Sequence, residues 1–161
     1  MNKKYYAAYG SNLNMSLMKR HCREAEIIGT AQLDGYQLAL RGEDGNAYFT
    51  IEEKEGSSVP LGIWAISEKD EEKLDQYEDF PELYRKEIIK LNVKKMGRPS
   101  AVGCCMALER KKEVYEELDC LIYIMNGAGN YGKPSKKYMR ECETGYACFG
   151  FDMEKLAKAV K

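Results

Sequence analysis

A glycine-containing turn near the N-terminus has the residue types of an anion-binding site. The string Tyr9-Gly10-Ser11-Asn12-Leu13 follows a short apolar stretch and precedes Asn14, a residue type that caps helices. Glycine lets the backbone turn tightly and approach a ligand, and successive amide N–H groups at the start of a helix attract anions. The turn therefore indicates a carboxylate site, although a purely structural turn with side-chain capping would have the same composition.

A glutamate near the middle of the chain could transfer protons. Glu78 lies one helical turn after Leu74 and beside Tyr77, at the end of a run that is rich in helix formers. Leu74 and Tyr77 are spaced for one buried face of this helix. Partial burial and the negative end of the helix dipole both disfavour an ionised carboxylate, so we expect a pKa raised toward neutrality. Such a pKa suits a general acid/base. Spacing alone does not distinguish Glu78 from Glu71, Glu72 and Asp75, which we expect at the acidic, solvated end of a surface helix.

Metal and thiol chemistries have little support in the sequence. The six cysteines form no Cys-x-x-Cys pair and there is a single histidine, so we expect no metal site. Cys22 beside His21 could be a nucleophile with its base, but adjacent helical side chains diverge in direction. Cys104 and Cys105 would point to opposite faces of a strand, and we interpret them as packing residues.

The overall composition restricts the class of partner. With 161 residues, of which 44% are hydrophobic and 32% charged, the chain fits one domain spanning residues 1–161. A net charge of -1 gives no field that would attract nucleic acid or anionic lipid. The longest apolar runs are far shorter than a membrane span, and the N-terminus lacks the pattern of an export signal. We therefore expect a cytoplasmic protein with reduced thiols and a small-molecule partner, and neither a nucleic-acid nor a membrane partner.

The order of elements predicts an α+β fold that positions these residues. Apolar patterning and turn signals predict strands over residues 4–9, 27–33, 36–41, 47–52, 59–66, 85–93, 101–108 and 118–125. Helices are predicted after Asn14, over 68–78 behind a Ser67–Asp70 capping box, after Pro134-Ser135 and after Asp152. The strands exceed the helices without βαβ alternation, which favours a mixed curved or barrel-like sheet with a few flanking helices. An antiparallel meander is the simplest arrangement of the strands between 27 and 66.

Three strings in order resemble the γ-glutamylcyclotransferases and their AIG2-like plant and bacterial relatives. They are Tyr-Gly-Ser-Asn-Leu near the N-terminus, Leu-Asp-x-Tyr-Glu at 74–78, and Pro-Ser-x-x-Tyr at 134–138. Tyr84 follows the second string, and Gly145 follows the third. Any one string is weak, whereas the ordered set is specific and spans most of the chain. The segment 94–117 departs from the family because it is longer than the usual connection.

The resemblance implies a γ-glutamylcyclotransferase-like fold and an enzyme that cyclises a γ-glutamyl group to 5-oxoproline, releasing the attached amine or amino acid without a cofactor. It makes Glu78 the acid/base residue and the turn from Tyr9 to Leu13 the substrate site, in which the amides of residues 10–13 hold the α-carboxylate. It also implies substrate contacts from Tyr84, Tyr123 and Tyr138, each of which could instead be a core tyrosine.

Two alternative functions stay open on the sequence. One is a non-catalytic domain of the same fold that binds a γ-glutamyl compound or an acidic amino acid. The other is a cysteine-dependent hydrolase that uses Cys22. The sequence does not identify the amine that is released, and it leaves the oligomeric state open, with a homodimer as one option.

Overall fold

The computed structural model describes residues 3–96, 113–127 and 129–160. These residues form, in chain order, β1 (Lys4–Ala8), α1 (Met15–His21), β2 (Glu26–Arg41), β3 (Tyr48–Ile66), α2 (Glu68–Tyr77), β4 (Tyr84–Lys95), β5 (Tyr115–Met125), α3 (Lys136–Phe149) and α4 (Glu154–Val160). A short 3-10 turn, Ser11–Leu13, lies between β1 and α1. The predicted strand 101–108, with Cys104 and Cys105, lies outside the described residues.

The five strands close into a barrel in the order β1-β3-β2-β4-β5. Four of the pairings are antiparallel, and the barrel closes through a parallel pairing of β1 with β5, in which Tyr5 lies opposite Cys120. The predicted α+β fold with a mixed, barrel-like sheet is confirmed. The meander holds only for β2 and β3, because β3 then pairs with the N-terminal β1 and β4 pairs with β2.

The region between residues 27 and 66 contains two long strands where the sequence predicts four. The Asp34-Gly35 signal does not reverse the chain; it shifts the register of β2 against β3 between Asp34 and Tyr36. Gly35 and Gly56 have φ angles of 83° and 85°, a conformation that glycine adopts without strain. The glycines therefore mark an irregularity within a continuous hairpin, and the strands bend without ending.

Helix α2 begins with the predicted capping box. The Ser67 hydroxyl accepts a hydrogen bond from the Asp70 N–H at 3.1 Å, and the Asp70 carboxylate accepts one from the Ser67 N–H at 3.2 Å. Leu74 packs the helix onto the core with no exposed surface. Two backbone donors that the first turn would leave unpaired are thus satisfied, which fixes the position of the helix start.

Leu13 anchors the 3-10 turn to the barrel and to α3. A Cβ atom added to Gly62 of β3 would lie 2.6 Å from Leu13 Cδ2, and one added to Gly145 of α3 would lie 2.7 Å from Leu13 Cβ. Any side chain at either glycine would therefore displace the leucine or the helix. Because both neighbours lack side chains, α3 packs directly against the turn that follows β1. No helix in the described parts of the chain is long and apolar enough to cross a membrane.

Candidate active site

A cavity of about 520 Å³ lies where the turn after β1, the C-terminal end of α2 and the first turns of α3 meet. Eight of the nine predicted site residues line it, namely Tyr9, Gly10, Ser11, Asn12, Glu78, Tyr84, Tyr123 and Tyr138. The exception is Leu13, whose side chain is fully buried in the core. Among the described residues, no group of three or more His, Cys, Asp or Glu side chains is placed to hold a metal ion.

Glu78 is the C-cap residue that directly follows α2, and the way the helix ends holds it there. Asp79 takes a left-handed conformation with φ of 52°. The Phe80 N–H then donates to the Asp75 carbonyl at 2.9 Å, and the Asp79 N–H donates to the Gln76 carbonyl at 3.3 Å. This pair of bonds is the Schellman arrangement that terminates many helices. The backbone of Glu78 is therefore fixed from both sides, and its carboxyl group reaches the cavity from a rigid support.

The surroundings of Glu78 favour its neutral form. Burial raises the pKa of the Glu78 carboxyl to about 8, because removal from water disfavours the ionised form. Within the described residues, no lysine or arginine side chain forms an ion pair with it. Its one side-chain partner there is Asn12, whose Nδ2 donates to Oε1 at 3.3 Å. The raised pKa agrees in direction with the sequence-based expectation, and burial is its cause.

The backbone amides of the turn are not equally available. The Leu13 N–H donates to the Gly10 carbonyl at 3.1 Å, so it is already used within the 3-10 turn. Within the described part of the chain, the N–H groups of Ser11 and Asn12 donate to no protein acceptor. Both residues are buried at the cavity wall. A carboxylate that binds here would therefore find the adjacent N–H groups of Ser11 and Asn12 as donors, whereas the Leu13 N–H, which the sequence includes in the site, is already used.

Two of the predicted tyrosines are hydrogen-bonded to one residue of β3. The Tyr84 hydroxyl donates to the Phe49 carbonyl at 2.8 Å, and the Tyr138 hydroxyl accepts from the Phe49 N–H at 3.0 Å. Burial raises the pKa of both hydroxyls well above their usual value. Since the Tyr138 oxygen acts as an acceptor here, its own proton is not used in this bond. Tyr84 and Tyr138 thus remain neutral groups on the cavity wall.

Tyr123 is tied to a chain of charged residues behind the cavity. Its hydroxyl donates to Asp75 Oδ1 at 2.6 Å, and Asp75 Oδ2 forms an ion pair with Lys86 at 3.0 Å. The Tyr123 carbonyl accepts a hydrogen bond from the Tyr9 hydroxyl at 2.6 Å. The hydroxyl groups of Tyr123 and Tyr9 are therefore both hydrogen-bonded within the protein. These residues contribute mainly the surface of their rings to the cavity wall.

Tyr77 has a different position from the one its spacing predicts. The sequence places it with Leu74 on the buried face of α2, but it is 41% exposed and lines the cavity. Its hydroxyl lies 2.9 Å from Ser11 Oγ, and its ring stacks on His21 with centroids 4.6 Å apart. The only sequence signal for this role is its place inside the Leu-Asp-x-Tyr-Glu string. Tyr77 is the last residue of α2, so no further helical turn lies beside its ring.

Other cavity residues carry no signal that separates them from core or surface positions. Tyr6 of β1 accepts a hydrogen bond from Asn12 Nδ2 at 3.0 Å. In the sequence pattern, however, it has the features of an ordinary strand residue. Lys137 and Glu141 line the cavity from adjacent turns of α3. They introduce both signs of charge at a wall otherwise dominated by tyrosine.

The structure argues against Cys22 as a nucleophile. The side chain is fully buried, and its Sγ lies 3.5 Å from the Asp70 carbonyl oxygen. Burial raises the pKa of the Cys22 thiol to about 12, whereas reactive cysteines have lowered pKa values and solvent access. The neighbouring His21 contacts Asn12 instead. The thiol and the imidazole therefore do not form a catalytic pair.

Substitutions at Gly10 are expected to disturb the site, because there is little room for a side chain at this position. A Cβ atom there would lie 3.2 Å from the Tyr138 hydroxyl and 3.7 Å from Phe49 Cβ. Gly10→Val should therefore displace Tyr138 and lower kcat/KM by roughly tenfold or more, with Gly10→Ala intermediate. Steady-state kinetics on soluble protein measure the effect. Gly129→Val is the matched control, because a Cβ there meets no atom within 4 Å. Unchanged kinetics in Gly10→Val would mean that this turn does not shape the site.

Comparisons with known proteins identify the family. Residues 6–140 match the protein family described as Gamma-glutamyl cyclotransferase, AIG2-like. The matched range includes every predicted site residue and nearly all of the cavity wall. No curated protein matches the chain in sequence.

Solved structures share the fold at low sequence identity. One named Gamma-glutamyl cyclotransferase is 20% identical, with a TM-score of 0.76 over 99% of this chain and 89% of that chain. Uncharacterized protein loc79017 from Homo sapiens is also 20% identical, with a TM-score of 0.76 over 100% of this chain and 89% of its own. YkqA from Bacillus subtilis is 18% identical, with a TM-score of 0.71 over 98% of this chain and 53% of its own. With the predicted resemblance thus confirmed, the chain belongs to the gamma-glutamyl cyclotransferase, AIG2-like family.

Proposed function

We propose that this chain is a γ-glutamylcyclotransferase-type enzyme. It cyclises the γ-glutamyl group of a small γ-glutamyl amine or amino acid to 5-oxoproline and releases the amine, which is an intramolecular aminoacyl transfer. The observation that carries the proposal is the position of Glu78, a carboxyl group with a pKa of about 8 in a cavity that also exposes unpaired amides of the turn after β1. Membership of the family supports the same reaction class.

Two groups on one substrate carbon account for the two polar features of the cavity. The α-carboxylate binds the N–H groups of Ser11 and Asn12, where hydrogen bonds to an anion are worth more than bonds to a neutral acceptor. The α-ammonium binds Glu78. Since an adjacent cation favours the ionised carboxylate, substrate binding lowers the pKa of Glu78 and prepares it to act as a base.

The reaction then needs one proton-transferring group. Glu78 removes a proton from the α-ammonium, and the nitrogen attacks the γ-carbonyl carbon to form the five-membered ring. The bond from that carbon to the leaving nitrogen breaks as Glu78 returns the proton to it. The ring nitrogen loses a second proton, which reaches the leaving amine by the same route. The amine departs as an ammonium ion, and Glu78 ends ionised, as it began.

Orientation supplies much of the remaining rate enhancement. An extended γ-glutamyl chain keeps its amine away from its γ-carbonyl, and holding the carboxylate and the amine at two fixed points bends the chain toward ring closure. The rigid ends of α2 and β1 are suited to this task, because Glu78 is fixed by the helix cap and the turn is anchored through Leu13. We place the reaction in the cytoplasm, where the buried free thiols of Cys22, Cys120 and Cys142 would stay reduced.

The rate is expected to rise with pH. A general base acts in its ionised form, and the ionised fraction of Glu78 grows as pH rises through about 8. We therefore expect kcat/KM to increase by roughly tenfold per unit below pH 8 and then to level off. Cavity tyrosines do not titrate in this range, since burial raises the pKa values of Tyr6, Tyr84 and Tyr138 well above 10.0. Rates of 5-oxoproline release between pH 6 and 9 measure the profile. A profile that falls from pH 6 to 8 would contradict the assignment.

A panel experiment tests the proposed activity directly. The protein is incubated with γ-glutamyl amino acids, glutathione, γ-glutamyl-lysine and γ-glutamyl amines, and 5-oxoproline is detected by mass spectrometry. The expected result is release of 5-oxoproline from at least one compound, at a rate that falls by roughly a hundredfold or more in Glu78→Gln. Binding of these compounds without any 5-oxoproline would identify a non-catalytic binding domain and overturn the proposal.

A further inference from the structure

The single histidine of the chain lies behind the cavity, at the end of α1. Its Nε2 lies 3.1 Å from Asn12 Oδ1, and its ring stacks on Tyr77 with an angle of 25° between the planes. His21 is half-buried and is not among the residues that line the cavity. It therefore reaches the site only through its neighbours, and the most direct connection is Asn12.

The side-chain amide of Asn12 has an oxygen, which accepts hydrogen bonds, and an NH₂ group, which donates them. Which of the two faces Glu78 affects the ionisation of that carboxyl group. One end of the buried amide faces both the Tyr6 hydroxyl at 3.0 Å and Glu78 Oε1 at 3.3 Å; the other end faces His21. An ionised carboxylate only accepts hydrogen bonds, so the end that faces it must be the NH₂ group when Glu78 is a base. The amide oxygen must then point to His21, and His21 must donate to it.

We infer that His21 is a positioning residue for the acid/base step: its Nε2–H holds the Asn12 amide so that Nδ2 points at Glu78. This inference rests on the proposed function, which makes ionised Glu78 the base. Without this donor, the Asn12 oxygen would lose its hydrogen-bond partner, and the side-chain amide could flip so that its oxygen and its NH₂ group exchange places. The turned amide would place its oxygen beside Glu78, which stabilises the protonated carboxyl and repels the ionised one.

The charged and titratable groups around this connection are compatible with a neutral histidine. Burial, with a smaller contribution from Arg20, lowers the pKa of His21 from 6.5, so the ring is neutral at pH 7 and carries one N–H. The groups that couple electrostatically to Glu78 are tyrosine hydroxyls with raised pKa values, those of Tyr6, Tyr9, Tyr77, Tyr84, Tyr123 and Tyr138. The other ionisable residues on the cavity wall are Tyr48, Asp79, Lys137 and Glu141.

The first test reads the tautomer of His21 without any substitution. Because the chain has one histidine, the ¹⁵N spectrum of protein labelled at histidine contains a single imidazole. We expect protonated Nε2 and unprotonated Nδ1 between pH 7 and 9. A ring that carries its proton on Nδ1 could not donate to Asn12 through Nε2, and that result would overturn the inference.

The second test measures the pKa of Glu78 itself. Protein labelled with [δ-¹³C]glutamate is titrated, and the Glu78 signal is the one absent from Glu78→Gln. His21→Phe keeps an aromatic ring beside Tyr77 but removes the donor, and we expect it to raise the pKa of Glu78 by roughly half a unit or more. The pH profile of kcat/KM should shift to higher pH by the same amount, so kcat/KM at pH 7 should fall by roughly threefold or more. Ser16→Ala, an exposed change on the same helix, is the matched control and should leave both unchanged.

A double-mutant comparison separates positioning from a general structural effect. If His21 acts through Asn12, His21→Phe should shift the pKa of Glu78 much less in an Asn12→Leu background than in the wild type. An equal shift in both backgrounds, or no shift in His21→Phe alone, would overturn the inference. The NMR measurements need no turnover. A chain with the expected tautomer and coupling that cyclises no γ-glutamyl compound would therefore retain His21 as the residue that orients Asn12 and refute only the proposed enzyme activity.

Discussion

Glu78→Gln is expected to lower turnover by roughly a hundredfold or more, the usual scale for loss of a general acid/base. Glutamine fills nearly the same volume and can still accept the bond from Asn12 Nδ2, but it cannot take a proton from the α-ammonium. The fold and ligand binding should be preserved, because the backbone bonds that end α2 do not involve the Glu78 side chain. Single-turnover and steady-state rates of 5-oxoproline release, with calorimetric binding of the substrate, measure both quantities.

Glu72→Gln is the matched control for this substitution. Glu72 lies on the exposed side of the same helix and forms no side-chain hydrogen bond within the described residues, so its loss should leave turnover unchanged. A Glu78→Gln turnover within about threefold of the wild type would remove Glu78 from the mechanism. A loss of substrate binding as large as the loss of turnover would instead make Glu78 a binding residue.

Converting the α-carboxylate of the substrate to an amide should lower kcat/KM about as much as Glu78→Gln lowers turnover. An α-amide cannot bring a negative charge to the Ser11 and Asn12 N–H groups, and hydrogen bonds to charged groups contribute about 1.5–3 kcal/mol each. Loss of two such bonds corresponds to roughly a hundredfold or more in kcat/KM. The α-amide should also compete poorly with the normal substrate. Parallel assays of one γ-glutamyl compound and its α-amide, by mass spectrometry, give the ratio.

The N-acetyl derivative of the same compound provides the contrast. It keeps the carboxylate but lacks a nucleophilic nitrogen, so it should not cyclise at all, while still competing where the cavity has room for the acetyl group. Efficient cyclisation of the α-amide would mean that the turn after β1 is not the carboxylate site. The role of Glu78 would be unaffected by that result.

Features encoded by neighbouring residues were predictable. The capping box at Ser67, the helix starts after Asn14 and after Ser135, and the placement of Glu78 at the end of a helix all depend on residues within one or two turns. Each of these predictions is confirmed. The raised pKa of Glu78 was also predictable in direction, because a carboxyl group beside an apolar helix face at a helix terminus is poorly stabilised when ionised.

Features that depend on distant residues were not predictable in the same way. The order of strands in the barrel is decided by which apolar faces fit together, and a single chain gives no signal that β3 should pair with β1. The occupied amide of Leu13 follows from the 3-10 turn, whose hydrogen bond to Gly10 is not visible in composition. The contact of His21 with Asn12 joins two residues whose partners are set by how α1 packs against the turn.

The parallel pairing of β1 with β5 also has a consequence for how the protein folds. Tyr5 and Cys120 are more than a hundred residues apart in sequence. Forming the pairing that closes the barrel therefore has a loop-closure cost in conformational entropy. Long-range pairings of this kind are late and slow in folding. The cavity draws on the turn after β1 and on Tyr123 of β5, which come together only through this closure. A partly folded chain can therefore contain α2, with Glu78 correctly capped, and still have no site.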